Sequence, residues 1–327
     1  MKPSRFGRAA LQGLLLGVAL LLGIWIAIAN PTFEAIGASS VTNVSPALLK
    51  KHVAALAEMT LSRNSDNAAA LEKAGNYIRD TWSEMGLAVE EQAYQAGPQK
   101  YSNWMVSLGP SAAPRIVVGA HYDVCGDQPG ADDNASGVAI LLELTRLLIQ
   151  AAPGLHRRID LVAYSTEEPP YFASHDMGSF RHAKSLHDNG VKVVAMLSLE
   201  MLGFYSDVPG SQRFPFPLLK LFYPSAGNTL MLVGRSADWR LVREIKPLMQ
   251  RATALDVRSV NAPASVQGID WSDQRSYWEM GFPALMVTDT SYLRNPNYHQ
   301  PSDTLSTLDF SRMAQAAQGV YGVVSRL

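Results

Sequence analysis

The sequence predicts an α/β fold: a mixed but mostly parallel central sheet flanked by helices on both faces, preceded by one N-terminal transmembrane helix. Three observations lead there. Apolar runs of strand length alternate with longer segments of helical periodicity, the order expected when strands are joined by crossover helices. The cores of two runs, IVVGA (116–120) and VVAML (193–197), are apolar throughout instead of alternating, as strands buried on both faces of a parallel sheet are. Finally, the stretch from Ala9 to Ala29 carries no charge and has about the ~20 apolar residues that span a bilayer as a helix.

That N-terminal run follows Lys2, Arg5 and Arg8 and shows no polar face, which argues against a buried core helix. Ala27-Ile28-Ala29 has the small-residue pattern of a signal-peptide cleavage site, but the run is long for a signal h-region, which favours an uncleaved anchor. In either case the basic flank is expected to stay in the cytoplasm and everything after Asn30 to be exported, to a periplasmic or extracellular location. Residues 1–30 are thus read as anchor or signal segment. Residues 31–327 are read as one domain, since no repeat, low-complexity tract or long Gly/Ser linker divides them.

Along that domain, LLKKHVAALAEM (48–59) and AAALEKAGNYIRDTWSEM (68–85) have helical periodicity, and GLAVEEQAY (86–94) and NWMVSLG (103–109) read as strands. Strand RIVVGAHYDV (115–124), helix 136–152, strand RRIDLVAYSTEE (157–168), helix 175–189 and strand VKVVAMLSLE (191–200) follow. FPALMVTDT (282–290) is a further strand and 311–326 a closing helix. Residues 203–228, rich in prolines and aromatics, break the rhythm as a long irregular insertion does. Its Tyr205, Phe214, Phe216, Phe222 and Tyr223 either line an apolar pocket or pack the loop onto the body.

Charged residues make up 17% of the chain, below the roughly 25% of a typical soluble domain, and the formal net charge is -1. Nothing in that balance suits nucleic acid. The single cysteine, Cys125, excludes an internal disulfide and a cysteine-based zinc cluster and reads as a small buried filler. A metal site would have to use His, Asp and Glu.

Such residues gather at the strand ends. His121 and Asp123 end one strand, Glu167 and Glu168 a second and Glu200 a third; His299 comes one loop after the last strand. Ligands of open α/β sheets bind beyond the carboxyl ends of the strands. Each residue alone has an ordinary structural explanation, but several carboxylates crowded at one edge need cations to offset their repulsion. Two imidazoles with carboxylates suit zinc or a similar transition metal, and the Asp-rich loop HYDVCGDQPGADDNASG lacks the ligand spacing of an EF-hand.

His121 and Asp123 lie two apart and share a face of an extended strand, so the carboxylate can orient the imidazole. Asp133 stands where a helix begins and can act as its N-cap as well as a ligand. Glu167 and Glu168 are adjacent and point opposite ways, which lets one bind metal while the other carries a proton. Asp127 and Asp132 shape or solvate the loop. His52, His156, His175, His182 and His187 lack companion ligands and read as structural or surface residues. Asn43-Val44-Ser45 and Asn134-Ala135-Ser136 match the glycosylation pattern, the second too close to the metal loop to carry a glycan.

From His121 to His299 the blocks GAHYD, GADDNASG, STEEPP, SLEMLG and YHQPSDT resemble, in order, those of the co-catalytic zinc exopeptidases of the aminopeptidase Y and glutamate carboxypeptidase type. The resemblance implies a zinc exopeptidase-like α/β domain holding two Zn2+ ions, with Asp133 as the bridging ligand. It further implies His121 and Glu200 on one zinc, Glu168 and His299 on the other, Glu167 as general base and Asp123 as partner of His121. Many relatives have Asp where Glu200 stands, and Gln274 replaces the His of a Ser-Asp-His block, leaving Asp273 as a hydrogen-bonding residue near the site. The activity implied is metal-dependent hydrolysis of peptide substrates, most simply by an aminopeptidase. A glutaminyl-cyclase-like acyltransferase with one zinc and a non-catalytic ectodomain are the alternatives.

Overall fold

The computed structural model describes residues 5–32 and 44–327; Lys2 and the Asn43 acceptor site lie outside the described residues. Among the described residues eight strands form one sheet: β1 (Glu90–Ala96), β2 (Gln99–Leu108), β3 (Arg115–His121), β4 (Arg158–Tyr164), β5 (Val193–Glu200), β6 (Thr229–Arg235), β7 (Asp256–Ala262) and β8 (Ala284–Thr288). Their spatial order is β1-β2-β4-β3-β5-β8-β6-β7. The four central strands β4, β3, β5 and β8 run parallel, while the β1–β2 hairpin joins β4 antiparallel and β6 joins β8 antiparallel.

The central strands are apolar on both faces because both are covered. Ile116, Val118 and Ala120 of β3 face a core shared with α2 (Pro46–Ala57), α3 (Ala68–Glu84), α4 (Gly137–Ala151), α6 (Trp239–Ala252) and α8 (Phe310–Val324). Val117, between them, faces the opposite core with α5 (Gly178–Asp188) and α7 (Gln274–Glu279). That period of two leaves no polar face, as the apolar runs foretold.

The N-terminal run forms helix α1 (Arg5–Ala29), long and apolar enough to cross a membrane. Leu14, Leu16 and Leu20 are exposed along it, whereas Ala29 and Asn30 are buried against the body. The stretch 131–154 passes the same length and hydropathy test but is mostly buried, as a core helix is.

Residues 229–279, unassigned from the sequence, contain β6, α6, β7 and α7. The interior Pro247 obscures the strong amphipathic pattern of α6, and β7 alternates buried and half-buried residues as a strand near the sheet edge does. In the irregular segment 203–228, Tyr223 is anchored by a hydrogen bond from its hydroxyl to Ser259 O at 2.7 Å and stacks with Phe214.

Candidate metal centre

Strand ends deliver the side chains. β3 ends at His121, β5 at Glu200, and Glu167 and Glu168 follow β4 by three and four residues. Asp133 sits in the wide turn Ala131–Ser136 before α4, and His299 in the loop after β8. Three non-glycine residues with left-handed φ cluster here, Thr166 (59°), Met201 (45°) and His299 (55°). Each costs about 1–2 kcal/mol, and they turn the chain sharply at the ends of β4 and β5 and at the second histidine.

The distances divide these residues into two groups. Asp133 Oδ1 lies 3.4 Å from His121 Nε2, which is 3.3 Å from Glu200 Oε2. Asp133 Oδ2 lies 3.1 Å from His299 Nε2, which is 3.5 Å from Glu168 Oε1. One carboxylate therefore presents each of its oxygens to a different imidazole and carboxylate. Ligands at about 2.0–2.2 Å from a tetrahedral zinc ion are themselves about 3.3–3.6 Å apart, and these edges fall at or near that range. Glu168 Oε1 is buried without a hydrogen-bond partner among the described residues, as a donor atom aimed at a cation would be. Glu167 Oε2 stands off at 3.9 Å from His121 Nε2. The donor set fits zinc in chemistry and in spacing.

Electrostatics without a cation show the crowding. Burial, reinforced by Glu168 and Glu200, holds the Glu167 carboxyl well above the usual carboxylate range, and burial together with Asp133 raises Glu168 to about 7. Burial opposes a charge on His299, yet Asp133 and Glu168 outweigh it and raise the imidazole to about 10.

A surrounding layer holds the cluster in place. Asp123 accepts the backbone N–H groups of Glu167 (3.2 Å) and Glu168 (3.0 Å), so it orders both glutamates, and it faces His121 Nδ1 at 3.4 Å. Asp132 accepts from Gly203 N and Asn295 Nδ2, both at 2.7 Å, which clamps the loop, while Asp127 is exposed. The cap of α4 differs from the expectation: Asn134 Oδ1, not Asp133, accepts Gly137 N–H, because 133 and 134 leave helical geometry. Asp133 keeps both oxygens for the cluster. Asn134 is fully buried, which removes its glycosylation site.

Asp273 is buried beside the cluster, where burial raises its carboxyl to about 7, but neither oxygen has a hydrogen-bond partner among the described residues. The hydrogen bond comes instead from its neighbour Ser272, whose Oγ donates to Glu200 Oε2 at 2.7 Å. Cys125 is half-buried, and its sulfur lies within 4.8 Å of ligand atoms of Glu168 and His299, so it borders the site where a buried filler was expected.

Two further residues escape sequence reasoning. Asp303 accepts the backbone N–H groups of Asp132 and Asp133; its only sequence signal is the block YHQPSDT it shares with His299. Arg63, fully buried, donates to the carbonyls of Tyr122, Pro129 and Gly130 and places a cation beneath the Asp-rich loop. Its position between two predicted helices gave no signal.

A sequence comparison matches residues 103–324 to Peptidase family M28. The chain belongs to that family. Among its relatives, the uncharacterized protein YfbL of Escherichia coli K12 is 42% identical over 290 residues, covering 86% of this chain and 88% of YfbL. A probable leucine aminopeptidase of Arthroderma otae is 26% identical over 240 residues, 70% of this chain and 57% of the relative. The M28 chain also superposes on the crystal structure of Legionella pneumophila LapA aminopeptidase with a TM-score of 0.68 at 19% identity, covering 87% of this chain and 73% of LapA. A Bacteroides thetaiotaomicron glutaminyl cyclase bound to N-acetylhistamine gives 0.66 at 17%, covering 88% and 100%. At such identities the two structures establish a shared fold.

Proposed function

We propose that this M28 peptidase is a two-zinc exopeptidase that removes residues from the amino end of peptides, carried by one domain over residues 31–327. The observation that carries the reading is the shared Asp133 carboxylate, with one oxygen toward His121 and Glu200 and the other toward His299 and Glu168. In this reading His121, Asp133 and Glu200 hold one zinc and Asp133, Glu168 and His299 the second. When bound, paired zinc ions lower the pKa of water toward about 7 and polarise a carbonyl.

The chain's own residues do the rest. Glu167, buried and set apart from the ligand edges, takes the proton of the attacking water at its carboxylate and passes it to the leaving amine. Asp123 fixes the backbone of both glutamates, so Glu167 keeps its position through that transfer. Ser272 and Asp303 hold Glu200 and Asp133 in their orientations.

The N-terminal helix, with its basic flank, is read as an uncleaved anchor that leaves the catalytic domain outside the cytoplasm. Zinc per chain, measured beside hydrolysis of aminoacyl, dipeptidyl, C-terminal and N-terminal-glutamine substrates, tests the proposal. Two zinc ions with release of N-terminal amino acids are expected. One zinc ion with pyroglutamate formation would instead indicate a cyclase, and absence of zinc from pure protein a non-catalytic ectodomain.

A further inference from the structure

The carbonyl end of α1 is seated on the catalytic body by a buried lysine. Lys246 Nζ donates to Ala29 O and Asn30 O, both at 3.2 Å, and to Ser259 Oγ at 3.1 Å, while Ser259 Oγ donates to Ala29 O at 2.8 Å. Asn30 Nδ2 adds a bond to Trp239 O at 2.7 Å. An ammonium group at a helix C-terminus also complements the helix dipole. The helix therefore leaves the body at a fixed place.

The charge-free run from Ala9 to Ala29 is about 31 Å long at 1.5 Å per residue, close to the thickness of a bilayer's hydrocarbon core. Ile26, Ala27 and Ile28 then lie within a turn of the hydrocarbon edge, with the body immediately behind them. The same three residues wall a cavity of about 950 Å³ that is also lined by Asp133, Glu167, Glu168 and His299. Phe214, Met231, Val233 and Met286 supply apolar lining. One open space thus joins the metal-type cluster to the end of the membrane-length helix.

The rim beside that helix mixes large exposed apolar side chains with the basic Arg213 and Arg243. Phe216 (55% exposed) and Trp239 (46%) line the cavity as well as facing outward, and Leu221 is 68% exposed nearby in sequence. Exposed Lys220 and Arg240 adjoin Leu221 and Trp239. Tryptophan and basic side chains around an apolar patch suit the headgroup layer of a membrane. The cavity is at the upper end of the roughly 300–1,000 Å³ that enclose a drug-sized ligand, far more than one amino-acid side chain requires.

We propose, resting on the peptidase reading above, that this cavity receives the apolar run of an amphiphilic peptide entering from the bilayer surface. Its substrates are then short, membrane-partitioned peptides with a free terminal amine. Apolar side chains gain from leaving water, so even one additional residue held in the cavity favours such a peptide by about tenfold or more.

The test uses the full zinc-loaded chain in phospholipid vesicles and two peptides of equal length and identical N-terminal residue. One continues with leucines and valines, the other with serines and glutamines. Each also carries a diazirine for photo-crosslinking. A kcat/KM at least about tenfold higher for the apolar peptide, with adducts on residues 26–28 or 214–216, is expected. If both peptides are hydrolysed at equal rates without adducts there, the cavity does not take the substrate and the peptidase reading stands. If neither is hydrolysed the peptidase reading falls, and the adducts alone decide whether the cavity binds apolar peptide. Phospholipid retained in the cavity of the purified protein, with no peptide adducts, would likewise overturn the inference.

Discussion

The Asp303 carboxylate accepts the backbone N–H of Asp133 at 3.1 Å, and so holds from behind the residue whose two side-chain oxygens serve both halves of the cluster. Burial and the neighbouring Asp132 raise Asp303 to about 7. Replacing Asp303 by Asn keeps the shape but weakens the acceptor. Zinc affinity is expected to fall about 10–100-fold, as read by titration against a competing chelator, while far-ultraviolet circular dichroism is unchanged. Unaltered affinity would remove Asp303 from the site.

Glu167 and Glu168 are adjacent but separable. Glu167→Gln is expected to retain zinc and to lose turnover by a factor on the order of 10² to 10⁴, whereas His299→Ala should lose metal as well. Metal content by mass spectrometry together with steady-state rates distinguishes the two. A Glu167→Gln variant with full activity would refute its role as base.

Removing zinc leaves the buried carboxylates with only protons, His121, His299 and Arg63 to offset them. Chelation should therefore lower Tm, and zinc at about 1,000 times its Kd should restore on the order of 4 kcal/mol of stability. Equal melting curves with and without zinc, by differential scanning calorimetry, would contradict this.

Acid should destabilise the fold through two histidines far from chemistry. Burial depresses His52 and His182 from 6.5 to about 4, and each hydrogen-bonds a tyrosine, Tyr77 and Tyr277 respectively. The unfolded chain binds these protons near pH 6.5 and the folded one only near 4. The stabilisation is then complete above pH 6.5 and is lost as pH falls through 4, roughly 3 kcal/mol for each histidine. Melting temperatures measured between pH 7 and 4 should fall less steeply in His182→Gln than in the parent.

Lys246→Ala leaves the carbonyl of Asn30 without its side-chain donor, while Ala29 O keeps the Ser259 hydroxyl. About 1–3 kcal/mol of destabilisation is expected from the unsatisfied Asn30 carbonyl, seen as a lower Tm of the full chain in detergent. An unchanged Tm would mean that α1 is not held by this contact.

Composition, the charge-free run and the doubly buried strands determined by themselves the α/β class, a helix of membrane-spanning length and the strand ends that carry His121, Glu167, Glu168 and Glu200. These are local properties, written in period and polarity. Tertiary structure alone decided which oxygen of Asp133 faces which histidine, that Asn134 rather than Asp133 caps α4, and that Ser272 bonds Glu200. It also brought Arg63 and Asp303 beneath the loop and joined the cluster to the end of α1 through one cavity. Those are relations between residues up to some 270 positions apart, set by packing and hydrogen-bond direction, and no single stretch of chain encodes them.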